Sequence, residues 1–396
     1  MNNEMNPIKD LFLLDPQVVF LNHGSFGACP KPVFEVYQAW QRRLENQPVL
    51  FLGREFNDLM QKTRQALGDT IHADPDDLVY LPNATHALNV IARSLELSPS
   101  DEILTSDHEY GACDNTWEFI CRKNSVRYIH QPVPLPVSST QEWVDEFWRG
   151  VTPRTRLIYL SHITSPTAQL FPVETICRKA RQAGILTLID GAHAPGQIDL
   201  NLSAVDADFY FGNCHKWMLS PKGAAFLYTR KDIQGLVEPL VVSWGWSADN
   251  NNTTGSRYID ILQWTGTYDP SPVLSVPAAI QFIHEHDWKD VRRHCHALLE
   301  KALIRTSEIT GLPARYRLDN LAGSFLPPQL GILPLPGDTN LNELKFNLYE
   351  KYRIEIPCID WNGSKFLRIS IQGYNDETDV DVLINALEME ISQGFK

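Results

Sequence analysis

A repeated order of short apolar run, polar cap and amphipathic stretch limits what this chain can fold into. From Pro30 onward, Val33, Val36, Tyr37, Trp40 and Leu44 recur at helical spacing and read as one buried face. Residues 78–81 form a short apolar run, followed by Pro82-Asn83-Ala84-Thr85 and a helical stretch through Ala87, Val90, Ile91 and Leu95. Residues 157–160 and 185–189 read as buried strands around a helix at 173–183 that Gly184 ends, and 206–212 and 224–228 add two more strands. Strands alternating with helices imply an α/β fold with a mostly parallel sheet covered on both faces. Ligands on such sheets bind beyond the carboxyl ends of the strands. After about Pro277 long helices (278–284, 288–304), then strands and a final helix from Glu377, mark a smaller α+β domain. The expected division is a large domain over 18–276, with 1–17 and 277–396 in the small one.

Composition removes several function classes. The 396 residues are 43% hydrophobic and 21% charged, ordinary for a globular chain. No apolar stretch approaches the roughly 18–20 residues of a membrane span, so no membrane partner is expected. The first residues lack a basic leader and the run at 11–14 is too short for a secretion signal, so a cytoplasmic address is the default expectation. With 35 basic and 48 acidic residues the net charge is −13, and no basic stripe offsets it, which argues against nucleic acid. Seven scattered cysteines without a C-x-x-C pair argue for reduced thiols. His284, His286, His294, Cys295 and His296 lie on helical stretches where neighbours point apart, so no metal site is expected.

The chemistry rests on a few residues where strands end. Asp190 closes the apolar strand 185–189, and Lys216 follows in Asn213-Cys214-His215-Lys216. Alone, the aspartate reads as a turn cap and the lysine as solvated surface. Their surroundings read differently. Asp190-Gly191-Ala192-His193, His215-Lys216 and Pro221-Lys222-Gly223 resemble the class V aminotransferase superfamily, the fold-type I pyridoxal-phosphate (PLP) enzymes that include cysteine desulfurases and kynureninases. Leu21-Asn22-His23-Gly24-Ser25-Phe26-Gly27, Gly266-Thr267-Tyr268-Asp269-Pro270, and Arg368-Ile369-Ser370 ahead of Tyr374-Asn375 look most like the isopenicillin N epimerase-like members.

The resemblance implies PLP held by Lys216 as a Schiff base, with Asp190 keeping the pyridine nitrogen protonated. It implies a cofactor phosphate at the helix start Asn83-Ala84-Thr85-His86, on Thr85 and the His86 amide, with Asn213 and His215 beside it. It makes Thr267 a phosphate ligand donated across a homodimer interface. Tyr110, after Glu109, takes the position of the ring-stacking aromatic. His193 and Ser165 stand near the ring and its 3-hydroxyl. Arg368 looks like the arginine that clamps the substrate α-carboxylate with two parallel hydrogen bonds. Asn22, His23 and the Trp244-Gly245-Trp246 loop fall at the substrate entrance.

Fold alone does not choose a reaction. Cysteine desulfurases need a nucleophilic cysteine before that arginine. Here Cys358 stands too early and Trp361 is nearer the nucleophile position, which disfavours desulfuration. The first expectation is an epimerase or racemase acting on an amino acid or amino-acyl side chain, with Lys216 on one face and a second acid, Tyr110 or His23, on the other. The alternative is a C–S lyase acting on a cysteine conjugate or sulfoxide. Transamination stands behind both.

Overall fold

The computed structural model describes residues 8–136, 139–247, 253–316 and 325–392. Seven strands build the central sheet: β1 (Leu78–Leu81), β2 (Glu102–Ser106), β3 (Arg127–Gln131), β4 (Thr155–Ser161), β5 (Leu186–Gly191), β6 (Phe209–Asn213) and β7 (Ala225–Thr229). Their order across the sheet is β1-β7-β6-β5-β4-β2-β3. β7 runs antiparallel to β1 and β6, and the other pairs are parallel. This is the mostly parallel α/β sheet that the alternating pattern demands, in the fold-type I architecture that the resemblance implies.

The twofold period of a strand sends successive side chains to opposite cores. On β4, Leu157 and Tyr159 join Leu188, Phe209 and Leu227 in one core. Ile158 and Leu160 join Ile189, Tyr210 and Phe226 in the other. The longer helices of this part are α1 (Lys31–Asn46), α2 (Phe56–Ile71), α3 (Ala84–Ser94), α4 (Gly111–Asn124) and α5 (Val173–Gln182). Residues of α3 and α4 pack in the first core, and those of α2 and α5 in the second. On α1 the expected apolar face is only part core: Val33 and Leu44 are buried, whereas Val36 is 37% exposed.

Two strands escaped the pattern. On β2 the polar Glu102 heads the run and is itself buried, held by Arg127 and Arg154. β3, with Arg127, His130 and Gln131, is a partly exposed edge whose outer row faces solvent, so it needs no apolar alternation.

Beyond the sheet come α6 (Val276–Glu285), α7 (Trp288–Thr310), α8 (Leu341–Tyr352) and α9 (Glu377–Ser392). α6 packs on α1 and α2, and α7, α8 and α9 share a core with an antiparallel sheet of β8 (Leu330–Leu335), β9 (Cys358–Trp361) and β10 (Ser364–Ser370), in the order β9-β10-β8. The N-terminal segment is stitched to this part: Val19–Phe20 pairs with Ile354–Glu355, and the Ser370 amide donates to the Leu21 carbonyl at 2.9 Å. Among the described residues, no helix is long and apolar enough to cross a membrane.

Candidate active site

Because β1, β2, β4, β5 and β6 are mutually parallel, their carboxyl ends open on one edge, and the loops leaving them carry the chemical groups. Asp190, second from last on β5, is buried. Its Oδ1 accepts from the Ala192 amide at 2.7 Å, and its Oδ2 accepts from Tyr159 Oη at 3.2 Å and Cys113 Sγ at 3.6 Å. Burial pushes its carboxyl above the usual range, against those donors and the charge of Lys216. Lys216 follows β6. Burial lowers its ammonium to about 8, with Arg368 adding to the fall and Asp190 opposing it. A buried amine this readily neutral is a competent nucleophile and proton carrier.

His193 follows Asp190, and its Nε2 lies 3.3 Å from Lys216 Nζ. Behind it, Trp217 Nε1 donates to His193 Nδ1 at 3.2 Å. Gly27 lets the N-terminal loop close on the lysine backbone. Its φ is +70°, and a Cβ there would sit 2.0 Å from the His215 carbonyl oxygen.

The start of α3 faces the same edge. Asn83 caps it by accepting from the His86 amide at 2.8 Å, and Asn213 Oδ1 takes the Ala84 amide at 3.0 Å. The His86 amide expected to meet an anion is therefore already used. The Thr85 amide is the first-turn donor with no partner among the described residues, and the Thr85 hydroxyl lies beside it. Asn213 spends its oxygen on the helix, which leaves its amide nitrogen. His215 donates through Nδ1 to the Ala224 carbonyl at 3.0 Å, and burial lowers it to about 4.

Arg368 on β10 is 6% exposed and has no carboxylate within ion-pair distance among the described residues. Its Nη1 donates to the carbonyl and hydroxyl of Ser165, each at 2.9 Å, its Nη2 to Ser25 Oγ at 3.0 Å, and its Nε to nothing. Ser25 in turn donates to Asn22 Oδ1 at 2.5 Å. Asn22 thus acts through Ser25, and Ser165 is turned to Arg368. A buried guanidinium without a counter-ion is a preformed anion site.

His23 departs from its expected place at an entrance. It is fully buried, with Nε2 donating to the Lys216 carbonyl and Nδ1 accepting from Tyr374 Oη, each at 3.0 Å, and burial lowers it to about 3. Tyr110 is 48% exposed and within electrostatic reach of Arg368, so its ring is open to the site rather than packed in the core. Thr267 lies in an exposed loop, and Trp244 is 75% exposed.

Two residues near the edge, Glu109 and His108, were given no role of their own from sequence. Glu109 is buried and accepts from Ser106 Oγ at 2.6 Å, the Ser161 amide at 3.0 Å and Ser161 Oγ at 2.6 Å, and burial raises it to about 8. It ties the ends of β2 and β4 together directly before Tyr110. His108 bonds Thr167 Oγ1 at 2.8 Å and the Val133 carbonyl at 2.9 Å and packs on Trp361, with ring centroids 4.3 Å apart. Trp361 Nε1 donates to the Asp107 carbonyl at 2.8 Å, so the β9–β10 turn docks on this loop. The signal available was the run Asp107-His108-Glu109-Tyr110 closing a strand. Cys358 is partly buried, and burial raises its thiol to about 12.

The description "Aminotransferase class-V" belongs to a family model that matches residues 21–321. The chain belongs to that family. Across nearly its whole length it is similar to the isopenicillin N epimerase of Amycolatopsis lactamdurans, at 35% identity over 95% of this chain and 96% of the relative. A probable chloroplastic L-cysteine desulfhydrase of Arabidopsis thaliana is 28% identical over 96% of this chain and 85% of its own. The apo cysteine desulfurase of Thermococcus onnurineus, at 18% identity, superposes with a TM-score of 0.81 over 98% of each chain, a likeness of fold.

As a class V aminotransferase family member the protein is a PLP-dependent enzyme. The residues fit the cofactor: a buried, readily neutral lysine beside a buried carboxylate, an unspent amide at a helix start, and a buried arginine with an orphaned Nε.

Proposed function

We propose that this enzyme acts at the α-carbon of an amino acid or amino-acyl substrate, in the manner of an epimerase. The observation that carries the reading is the buried, uncompensated Arg368 within electrostatic reach of Lys216. Arg368 takes the substrate α-carboxylate, held in aim by Ser165 and by Ser25 and Asn22. Lys216 would hold the cofactor, and its amine, readily neutral, would carry the α-proton. Asp190 would keep the pyridine nitrogen protonated, Tyr110 would stack on the ring, and His193, beside Lys216, would serve the ring and its 3-hydroxyl. Thr85 and Asn213 would hold the phosphate, and His215, whose Nδ1 proton is committed to the Ala224 carbonyl, would join them on taking a second proton at Nε2. PLP, when bound, supplies an electron-withdrawing ring that acidifies the α-proton.

Epimerisation needs a proton returned on the opposite face. Tyr110, exposed and near Arg368, is the residue for that task. His23 is committed to the Lys216 carbonyl and to Tyr374. The same commitment favours a second reading, a C–S lyase acting on a cysteine conjugate or sulfoxide, which needs one base and a leaving group. Desulfuration is disfavoured by the inert Cys358. Transamination would require an α-keto acid.

The working unit is a cytoplasmic homodimer, a reading supported by seven free thiols and by the exposed loop carrying Thr267, which would reach the partner's phosphate. Residues 18–276 form its large domain, and 1–17 with 277–396 the small one. Incubation with a panel of L-amino acids and S-substituted cysteines tests the reaction. Loss of chirality with the amino acid intact identifies an epimerase. Pyruvate with a thiol or sulfenate product identifies the lyase and overturns the first reading.

A further inference from the structure

The imidazole of His193 has two neighbours of opposite chemical constraint. Trp217 Nε1, 3.2 Å from His193 Nδ1, belongs to an indole that can only donate. His193 Nδ1 must therefore present a lone pair. The ring is 2% exposed and buried beside Lys216, Arg368 and His23, so at ordinary pH it is neutral and carries one proton. That proton sits on Nε2, which faces Lys216 Nζ at 3.3 Å.

We infer that Trp217 is a positioning residue that fixes the His193 tautomer, so that an Nε2–H points at the Lys216 amine and holds it as the neutral base. A donor aimed at an amine favours the form with a lone pair, and an acceptor there would favour the ammonium. The other groups facing the amine come from separate elements: Asp190 on β5 and Cys113 on α4 favour its charge, and Arg368 on β10 opposes it. None of these contacts the indole nitrogen, so the Trp217 effect runs through His193 alone. Trp217 is fully buried and also fills space against His23, with ring centroids 4.9 Å apart, so a filling role must be separated from the tautomer role.

The inference rests on Lys216 being the reactive lysine, which borohydride trapping tests separately. It is read on the full chain freed of PLP. Nitrogen NMR of histidine-labelled protein, assigned with His193→Asn, should find the His193 proton on Nε2. A proton on Nδ1 overturns the proposal, and this reading needs no folded Trp217 variant. Acetylation of Lys216, followed by mass spectrometry across pH, should give a half-point near 8. In Trp217→Phe, which keeps the aromatic volume, that half-point should rise by about one pH unit, for about tenfold less reactive amine at neutral pH. In His193→Ala the added Trp217→Phe change should move it no further. An unmoved profile in Trp217→Phe, or an equal shift without His193, shows a filling role only.

Discussion

Arg368 and Ser165 join the two parts of the molecule: one guanidinium nitrogen on β10 donates to both the carbonyl and the hydroxyl of the loop after β4, each at 2.9 Å. Among the described residues the geometry leaves Nε unspent and no carboxylate within ion-pair distance. The arginine is thus buried and aimed before any substrate arrives, the preorganisation that a carboxylate clamp requires.

Replacing Arg368 by alanine should lower kcat/KM for α-amino acids by about 10²–10³-fold, the loss of a buried charged pair worth about 3–4 kcal/mol. Arg368→Lys should recover only part, since a point charge cannot make two parallel bonds. Steady-state kinetics on a carboxylate substrate and its amide checks this. The arginine variants should lose their preference between the two.

Lys216 has a folded value near 8, below its unfolded 10.5. The unfolded chain binds more protons between those values, so the burden of burying the lysine is full below 8 and vanishes above 10.5. Without PLP, Lys216→Met should be more stable than the parent by about 1–3 kcal/mol at pH 7, and the advantage should shrink by pH 10. Urea melts at the two pH values read it.

Glu109 gives the mirror image. Its folded value of about 8 stands above 4.5, so the folded chain holds the extra proton and stability falls as pH rises from 4.5 to 8. Glu109→Gln, which keeps an oxygen for Ser161 and a nitrogen that can donate to Ser106, should flatten that slope. Its melting temperature should exceed the parent's by a few degrees at pH 8.5 and match it near pH 5. Thermal melts across that range decide it.

The thiol of Cys358 is held protonated by burial. Cys358→Ser should leave turnover within about twofold, because no thiolate is available there to attack. A loss of sulfur release with full retention of PLP would revive a desulfurase reading.

These residues differ in how plainly sequence announced them. Asp190, Lys216 and Arg368 stood in motifs, and strands such as β1 and β5 were bare apolar runs. β2 was hidden because its first side chain is a buried glutamate neutralised by Arg127 and Arg154, distant in sequence. His23 misled because a histidine turned to a backbone carbonyl and one lining an entrance look alike in sequence; only the fold brings Tyr374 and Lys216 to it. The spent His86 amide was legible in principle, since an asparagine directly before a helix takes the amide three residues on. Glu109 was read only as a marker for Tyr110, because its partners Ser106 and Ser161 lie on different strands.

Which lysine holds PLP decides where the chemistry lies. Borohydride reduction of the holoenzyme followed by peptide mapping fixes the cofactor to that residue. The mark should fall on Lys216, and Lys216→Ala should neither be marked nor show the bound-cofactor absorbance. Lys222, also lowered by burial and bonded through Nζ to the Gly27 carbonyl at 2.9 Å, is the nearest rival in sequence. A mark on Lys222, or one that survives Lys216→Ala, would contradict a site built on Lys216.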